Sequence, residues 1–354
     1  MEHACAENAS SNSTSFFLQI VEHPDGTVTR PVSPLAPPSG EQSDAPVISK
    51  DVPLNPTKNT WLRIYRPNPL PPARKLPVVI YFHGGGFVIF SAASAFYHNS
   101  CEAMTRAVSA LVISLEYRLA PEHRLPAAYE DAVETVLWVQ SQARDPTGGD
   151  PWVTGHGDFS RCFLMGSSAG ANMAYHAGLL ATALELLPLR LLGLILNQPY
   201  FGGVERTPSE TRSEEDIILP LRANDMLWRL ALPMGADRDH EFCNPAVAVP
   251  PELRHLPSCL VKGYEGDPLV DRQREFAKML EREGASVVAL FDEGGFHAVE
   301  LFDPATAEAL FAEVRQFISG GCYNAVRSSH IAVRRRRPLP IASRDSPHGS
   351  CGTD

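Results

Sequence analysis

The chain has 354 residues, enough for one large core or two smaller ones, and its 31 Lys and Arg against 41 Asp and Glu leave a net charge of −10. That balance argues against a nucleic-acid-binding body, which needs basic side chains clustered on one face. Seven cysteines, at 5, 101, 162, 243, 259, 322 and 351, are scattered, odd in number and without a C-x-x-C pair, so they read as reduced thiols of a cytoplasmic protein.

Taken in chain order, Met1-Glu2-His3-Ala4-Cys5-Ala6-Glu7 lacks both a basic region and an apolar core, and no secretory signal is expected. Residues 1–55 are polar and rich in Pro and Ser. They read as a partly disordered arm contributing to a lid, with one hairpin-like segment, Ile20 to Val28, turning at Asp25-Gly26. From Trp61 onward, strand-length apolar runs alternate with longer helix-period stretches. The spacing predicts strands at Leu62–Tyr65, Val78–Phe82, Leu111–Leu115, Cys162–Met165, Leu192–Leu196, Cys259–Lys262 and Val287–Phe291. Helices fit between them, for example Ala127 to Gln140 with Ala128, Ala132, Val136 and Val139 on one face. The pattern is that of an α/β domain over residues 56–321, a mostly parallel central sheet flanked by helices.

Ala177 to Leu196 is the most apolar stretch, but Glu185, Pro188 and Arg190 at its centre favour helix, turn and buried strand over a membrane span. Residues 202–250 break the rhythm with charge-dense, Pro-containing sequence around Trp228 and read as a short lid or pocket wall. Beyond Phe317 the apolar pattern stops. Residues 322–354 hold six Arg against two Asp, including Arg334 to Arg337, and read as a basic disordered tail in preference to a nuclear-import signal.

Chemistry concentrates where predicted strands end. Gly166-Ser167-Ser168-Ala169-Gly170 lies between a strand and a helix-like stretch, a sharp turn with a hydroxyl at its apex and glycines where bulk would collide. After Phe82, His83-Gly84-Gly85-Gly86 allows backbone N–H groups to face a ligand, and Gly84, Gly85 and Ala169 are the natural donors to an oxyanion beside Ser168. No Gly-Lys-Ser/Thr follows, which excludes a phosphate-binding P-loop. A serine hydroxyl needs a base and an acid. Asp267 and His297 each follow a predicted strand, in the order Ser, Asp, His; Asp271 is the alternative acid, and Asp267 is preferred because it lies closer to the strand end. No His, Cys, Asp or Glu group has metal-ligand spacing.

Together, His83 to Gly86, Gly166 to Gly170, Asp267 to Asp271 and Phe296-His297 resemble the hormone-sensitive-lipase-like branch of the α/β-hydrolases. Within it, Glu116-Tyr117-Arg118-Leu119-Ala120-Pro121-Glu122 and Leu125 to Asp131 are similar to plant carboxylesterases, relatives of the gibberellin receptors. The resemblance covers roughly residues 15 to 320. It implies an α/β-hydrolase fold and cofactor-free serine-dependent hydrolysis of small-molecule esters. Ser168 would be the nucleophile, His297 the base and then acid, Asp267 the orienting group, and Gly84, Gly85 and Ala169 the oxyanion hole. It gives His83 a loop-stabilising role. Two rivals accompany it: a hormone-binding protein, disfavoured because the receptors lack the base histidine that His297 supplies, and a hydroxyisoflavanone-type dehydratase. Ser167 departs from the pattern, since many relatives carry Asp there.

Overall fold

The computed structural model describes residues 15–72 and 75–320, and for residues 332–334 the backbone alone. After a single 3-10 turn at Phe16–Gln19 comes a short hairpin, β1 (Val21–Glu22) and β2 (Val28–Thr29), with Gly26 at φ +84° in its turn. There follow β3 (Val47–Asn55), β4 (Thr60–Pro67), β5 (Leu76–Phe82), α1 (Ala95–Val108), β6 (Leu111–Glu116), α2 (Ala127–Arg144), α3 (Pro151–His156), β7 (Gly157–Ser167), α4 (Ala169–Ala181) and β8 (Leu191–Asn197). The second half adds α5 (Pro208–Arg212), α6 (Leu221–Ala231), β9 (Ser258–Tyr264), α7 (Val270–Arg282), β10 (Val287–Asp292), α8 (Pro304–Ile318) and β11 (Ala332–Arg334).

Among the described residues, nine strands form one sheet in the order β11-β10-β9-β8-β7-β5-β6-β4-β3. Every pairing from β6 to β11 is parallel, and only β4 and β3 run the other way relative to their neighbours. A parallel sheet covered on both faces needs strands that are apolar throughout rather than alternating, and β5 is buried at every position. Its side chains then divide by parity. Val78, Ile80 and Phe82 join the cluster containing α2, α4 and α7 residues such as Val136, Met173 and Phe276. Val79 and Tyr81 join the opposite one, with Met104 of α1 and Phe311 of α8. The chain leaves β5 for β6 on one side and reaches β7 on the other, so the order reverses at β5 and a crevice opens beyond its C-terminal end.

All seven strands expected from the apolar runs are present, most of them longer at both ends. Two expectations are corrected. The arm, drawn to residue 55, contains β3 from Val47, which pairs with β4 at the sheet edge; its Lys50, Asp51 and Pro53 suit an edge strand and interrupt the apolar run that would announce it. The tail, expected to carry no structure, supplies β11 against the open edge of β10, whose unpaired backbone groups accept a strand with little regard for side chains; its other residues lie outside those described.

Among the described residues no helix is long and apolar enough to cross a membrane. Cys101, Cys162, Cys243 and Cys259 are buried free thiols, and burial pushes Cys101 up to about 12.

Candidate active site

Ser168 follows β7 and caps α4 with φ +55° and ψ −120°, a conformation that costs an L-residue energy and is held by its surroundings. Its N–H donates to the Asn197 carbonyl at 2.9 Å, and its own carbonyl accepts from Ala171 and Tyr200. The turn is so tight that a Cβ on Gly166 would sit 2.1 Å from the Gly170 backbone, and one on Gly170 would sit 1.9 Å from the Phe82 carbonyl oxygen. Glycine is required at both places by backbone, which cannot move aside.

His297, on the loop after β10, places Nε2 2.9 Å from Ser168 Oγ. Its Nδ1 is 3.0 Å from Asp267 Oδ2 and 3.1 Å from Oδ1, and Asp267 lies on the loop after β9. The acid facing the imidazole is thus Asp267. Asp271, the alternative, is turned away and accepts the Ser209 N–H at 2.8 Å. Asp267 also accepts from the Leu269 amide (2.9 Å), Gln273 Nε2 (2.8 Å) and Gln198 Nε2 (2.7 Å).

Electrostatics follow from this geometry. Burial alone would raise the Asp267 carboxyl, but the His297 charge and these hydrogen bonds hold it below the ordinary range. Burial likewise opposes the imidazolium of His297, and the Asp267 charge and hydrogen bond outweigh it, lifting His297 above its usual value.

Gly84 passes directly under Ser168, for a Cβ there would lie 3.2 Å from Ser168 Cβ and 2.5 Å from the Tyr97 hydroxyl. His83 is fully buried, stacked on Tyr117 at 4.2 Å, and its Nδ1 donates to the Gly84 carbonyl at 2.7 Å; burial brings it down to about 4, a neutral ring that stiffens the loop. Gly86 turns the chain at φ +60° against Leu227 of α6.

A cavity of about 310 Å³ opens onto Ser168, His297 and Gly85. Its remaining wall is almost wholly apolar and comes from five stretches: Phe16 and Phe17 near the N-terminus, Pro34 beyond the hairpin, Phe90 and Phe96 after the glycine loop, Ile217 and Ile218 from the insertion, and Leu301 and Phe302 after His297. The first of these is tied down by polar contacts. Ser15 Oγ donates to the Ile218 carbonyl at 2.7 Å, Arg229 of α6 pairs with Glu22, and Arg30 donates to the carbonyls of Val88 and Ala120. Among the described residues no group of three or more His, Cys, Asp or Glu is placed to hold a metal ion.

Residues 79–301 match the family model described as the alpha/beta hydrolase fold. The chain is also 49% identical over 310 residues to probable carboxylesterase 8 of Arabidopsis thaliana, covering 85% of this chain and 92% of that one. The chain belongs to the α/β-hydrolases, among the plant carboxylesterases. It is a carboxylic ester hydrolase. Another member, 3-O-acetylpapaveroxine carboxylesterase CXE1 of Papaver somniferum, is 43% identical over 317 residues, 85% of this chain and 96% of that one. Among solved structures, an esterase of Pyrobaculum calidifontis superposes with a TM-score of 0.66 at 27% identity, over 77% of this chain and 84% of the other.

Several residues around this candidate site of the carboxylesterase carry no motif of their own. Gln198 follows β8 as Asp267 follows β9, so the strand-end rule could have flagged it, but no motif surrounds it. Glu300, three residues after His297, accepts from Asn197 Nδ2 at 2.7 Å; Asn197 also donates to Ser167 Oγ at 3.1 Å, and Tyr81 donates to the same oxygen at 3.3 Å. Ser167 therefore joins a buried polar network that an Asp at this position would charge. Burial raises the Glu300 carboxyl above its ordinary range.

Proposed function

We propose that this carboxylesterase works through an acyl-enzyme formed on Ser168. The observation that carries the reading is the unbroken chain of hydrogen bonds from Ser168 Oγ through His297 to Asp267. His297 Nε2 takes the hydroxyl proton as Oγ attacks the ester carbonyl carbon; Asp267 holds the Nδ1–H and stabilises the imidazolium. The carbonyl oxygen, now negative, is received by the N–H groups of Gly84, Gly85 and Ala169, each worth roughly 3 kcal/mol in the transition state. When the C–O bond breaks, His297 returns the proton to the departing alcohol. Water, deprotonated by the same imidazole, then attacks the acyl-enzyme and releases the acid with Ser168 restored.

The cavity supports small, apolar substrates, because almost nothing but aromatic and aliphatic carbon lines it beyond the reacting groups. In this reading the segment within residues 1–55 and the insertion within 202–250 act together as the wall over the substrate. A relative named for an acetylated alkaloid suggests the form such a substrate takes, a short acyl group on a larger apolar alcohol.

The test is turnover of p-nitrophenyl acetate and butyrate by the purified protein beside Ser168→Ala and His297→Ala. Either substitution is expected to lower kcat by several orders of magnitude, at least about 10⁴-fold. Wild-type turnover no faster than that of the variants would remove the mechanism.

A further inference from the structure

Phe90 adopts φ +78°, left-handed backbone in which a bulky side chain is a true outlier. Strain of this kind clusters at functional sites and persists only where the surroundings fix it. Of the six other non-glycine residues with positive φ among those described, Ser168 (φ +55°), Gln198 (φ +46°) and Ala298 (φ +60°) hold the reacting groups, whereas Asn59, Ser109 and the buried Phe87 (φ +66°) do not. Phe90 holds none of those groups either. Its ring instead stacks on Phe16 with centroids 5.3 Å apart and meets Phe96 edge-on at 4.8 Å, with Phe17 and Tyr97 edge-on at 6.1 and 6.0 Å. Its Cδ2 lies 2.9 Å from the place a Gly85 Cβ would take, and the ring forms part of the cavity wall that Ser168 and His297 share.

A glycine at this position would adopt the backbone freely and leave the ring's volume open to substrate. The chain keeps an aromatic ring there despite the conformational cost. We infer that Phe90 is a specificity-determining residue, whose ring blocks the cavity beside Gly85 and limits esters to a short or flat apolar group on that side. The hydrolytic form of this inference rests on catalysis at Ser168; the shape of the cavity does not.

Two measurements separate the claims. In the first, wild type and Phe90→Gly hydrolyse p-nitrophenyl esters from acetate to octanoate. The octanoate-to-acetate ratio of kcat/KM is expected to rise at least about tenfold in the variant, since a hydrophobic pocket discriminates by about 10–200-fold per methylene gained or lost. In the second, calorimetry follows binding of phenyl alkyl ketones, which cannot be hydrolysed, from acetophenone to octanophenone, in the Ser168→Ala background with and without Phe90→Gly. Octanophenone is expected to gain at least about tenfold in affinity relative to acetophenone, again from the added space. Should Phe90→Gly melt early, Phe90→Leu, which keeps apolar contact with the neighbouring rings, reads the same ratios in the same direction. A uniform loss of affinity along both series would show a residue that only braces the wall and would overturn the inference. If wild type hydrolyses no ester, the acyl-enzyme mechanism fails alone, because the ketone series still reports on Phe90.

Discussion

Gln198 Nε2 donates to Asp267 Oδ2 at 2.7 Å and to the Phe296 carbonyl at 3.0 Å, while Gln198 Oε1 accepts the Ala298 N–H at 2.9 Å. One primary amide thus grips the acid and both residues that flank His297. The backbone of Gln198 is itself left-handed, φ +46°, and its N–H is bonded to the Lys262 carbonyl of β9, so the grip is anchored in the sheet.

Gln198→Met keeps the side chain's length and removes its hydrogen bonds. Hydrogen bonds to a charged group are worth about 1.5–3 kcal/mol, so kcat for p-nitrophenyl butyrate is expected to fall about 10- to 100-fold. KM should change little, since Gln198 acts through Asp267 and His297. A rise in KM with kcat intact would place Gln198 in substrate binding instead.

Asp267→Asn and Asp271→Asn separate two carboxylates four positions apart. The first leaves the imidazole facing an amide and should cost about 10⁴-fold in kcat. The second loses only the Ser209 amide contact and a long ion pair with Arg274, and should leave kcat within about threefold. Similar small losses in both would take the acid role away from Asp267.

The pH profile follows from the His297 shift. General-base action needs neutral imidazole, so kcat/KM should rise with pH through an inflection above the unperturbed value of 6.5. Asp267→Asn removes the charge that lifts it, and the inflection should move to lower pH. Stability obeys the same linkage. The raised His297 contributes stability that is full below 6.5 and lost as pH rises through the folded value; the lowered Asp267 contributes stability present above 3.8 and lost as pH falls through its folded value. The gap in Tm between wild type and Asp267→Asn should accordingly be widest between those two values. A gap that does not vary with pH would contradict the assignment.

Gly170→Ala drives a methyl into the Phe82 carbonyl and should lower stability by about 3 kcal/mol or more, read as a drop in Tm. Gly155→Ala provides the control, because a Cβ there meets nothing within 4 Å; it should be neutral or gain up to about 1 kcal/mol. Equal effects at the two sites would show that the turn is looser than its distances.

Much of the candidate site was legible because its residues sit at strand ends and are marked by glycines. Gly166 and Gly170 signal a turn that tolerates no side chain, and the runs Val78 to Phe82 and Val287 to Phe291 announce buried strands whose C-terminal loops carry His83 and His297. What remained hidden has no local signature. β3 carries Lys50, Asp51 and Pro53 at an edge, and Lys262 reads as a polar end to a strand although it lies buried between Asp292 and Glu313. Gln198, Asn197 and Glu300 are ordinary residues until three strands bring them within hydrogen-bond distance.

The amino-acid sequence alone determined the order Ser168, Asp267, His297, the glycine loop before them and the parallel sheet that carries them, since each depends on local pattern: period, turn chemistry and strand ends. Tertiary structure alone decided which of Asp267 and Asp271 faces the imidazole, which network Ser167 enters, and that Phe16, Phe90 and Ile218 line a single cavity. Those relations join residues far apart in the chain, and their distances are set by how the sheet twists and packs.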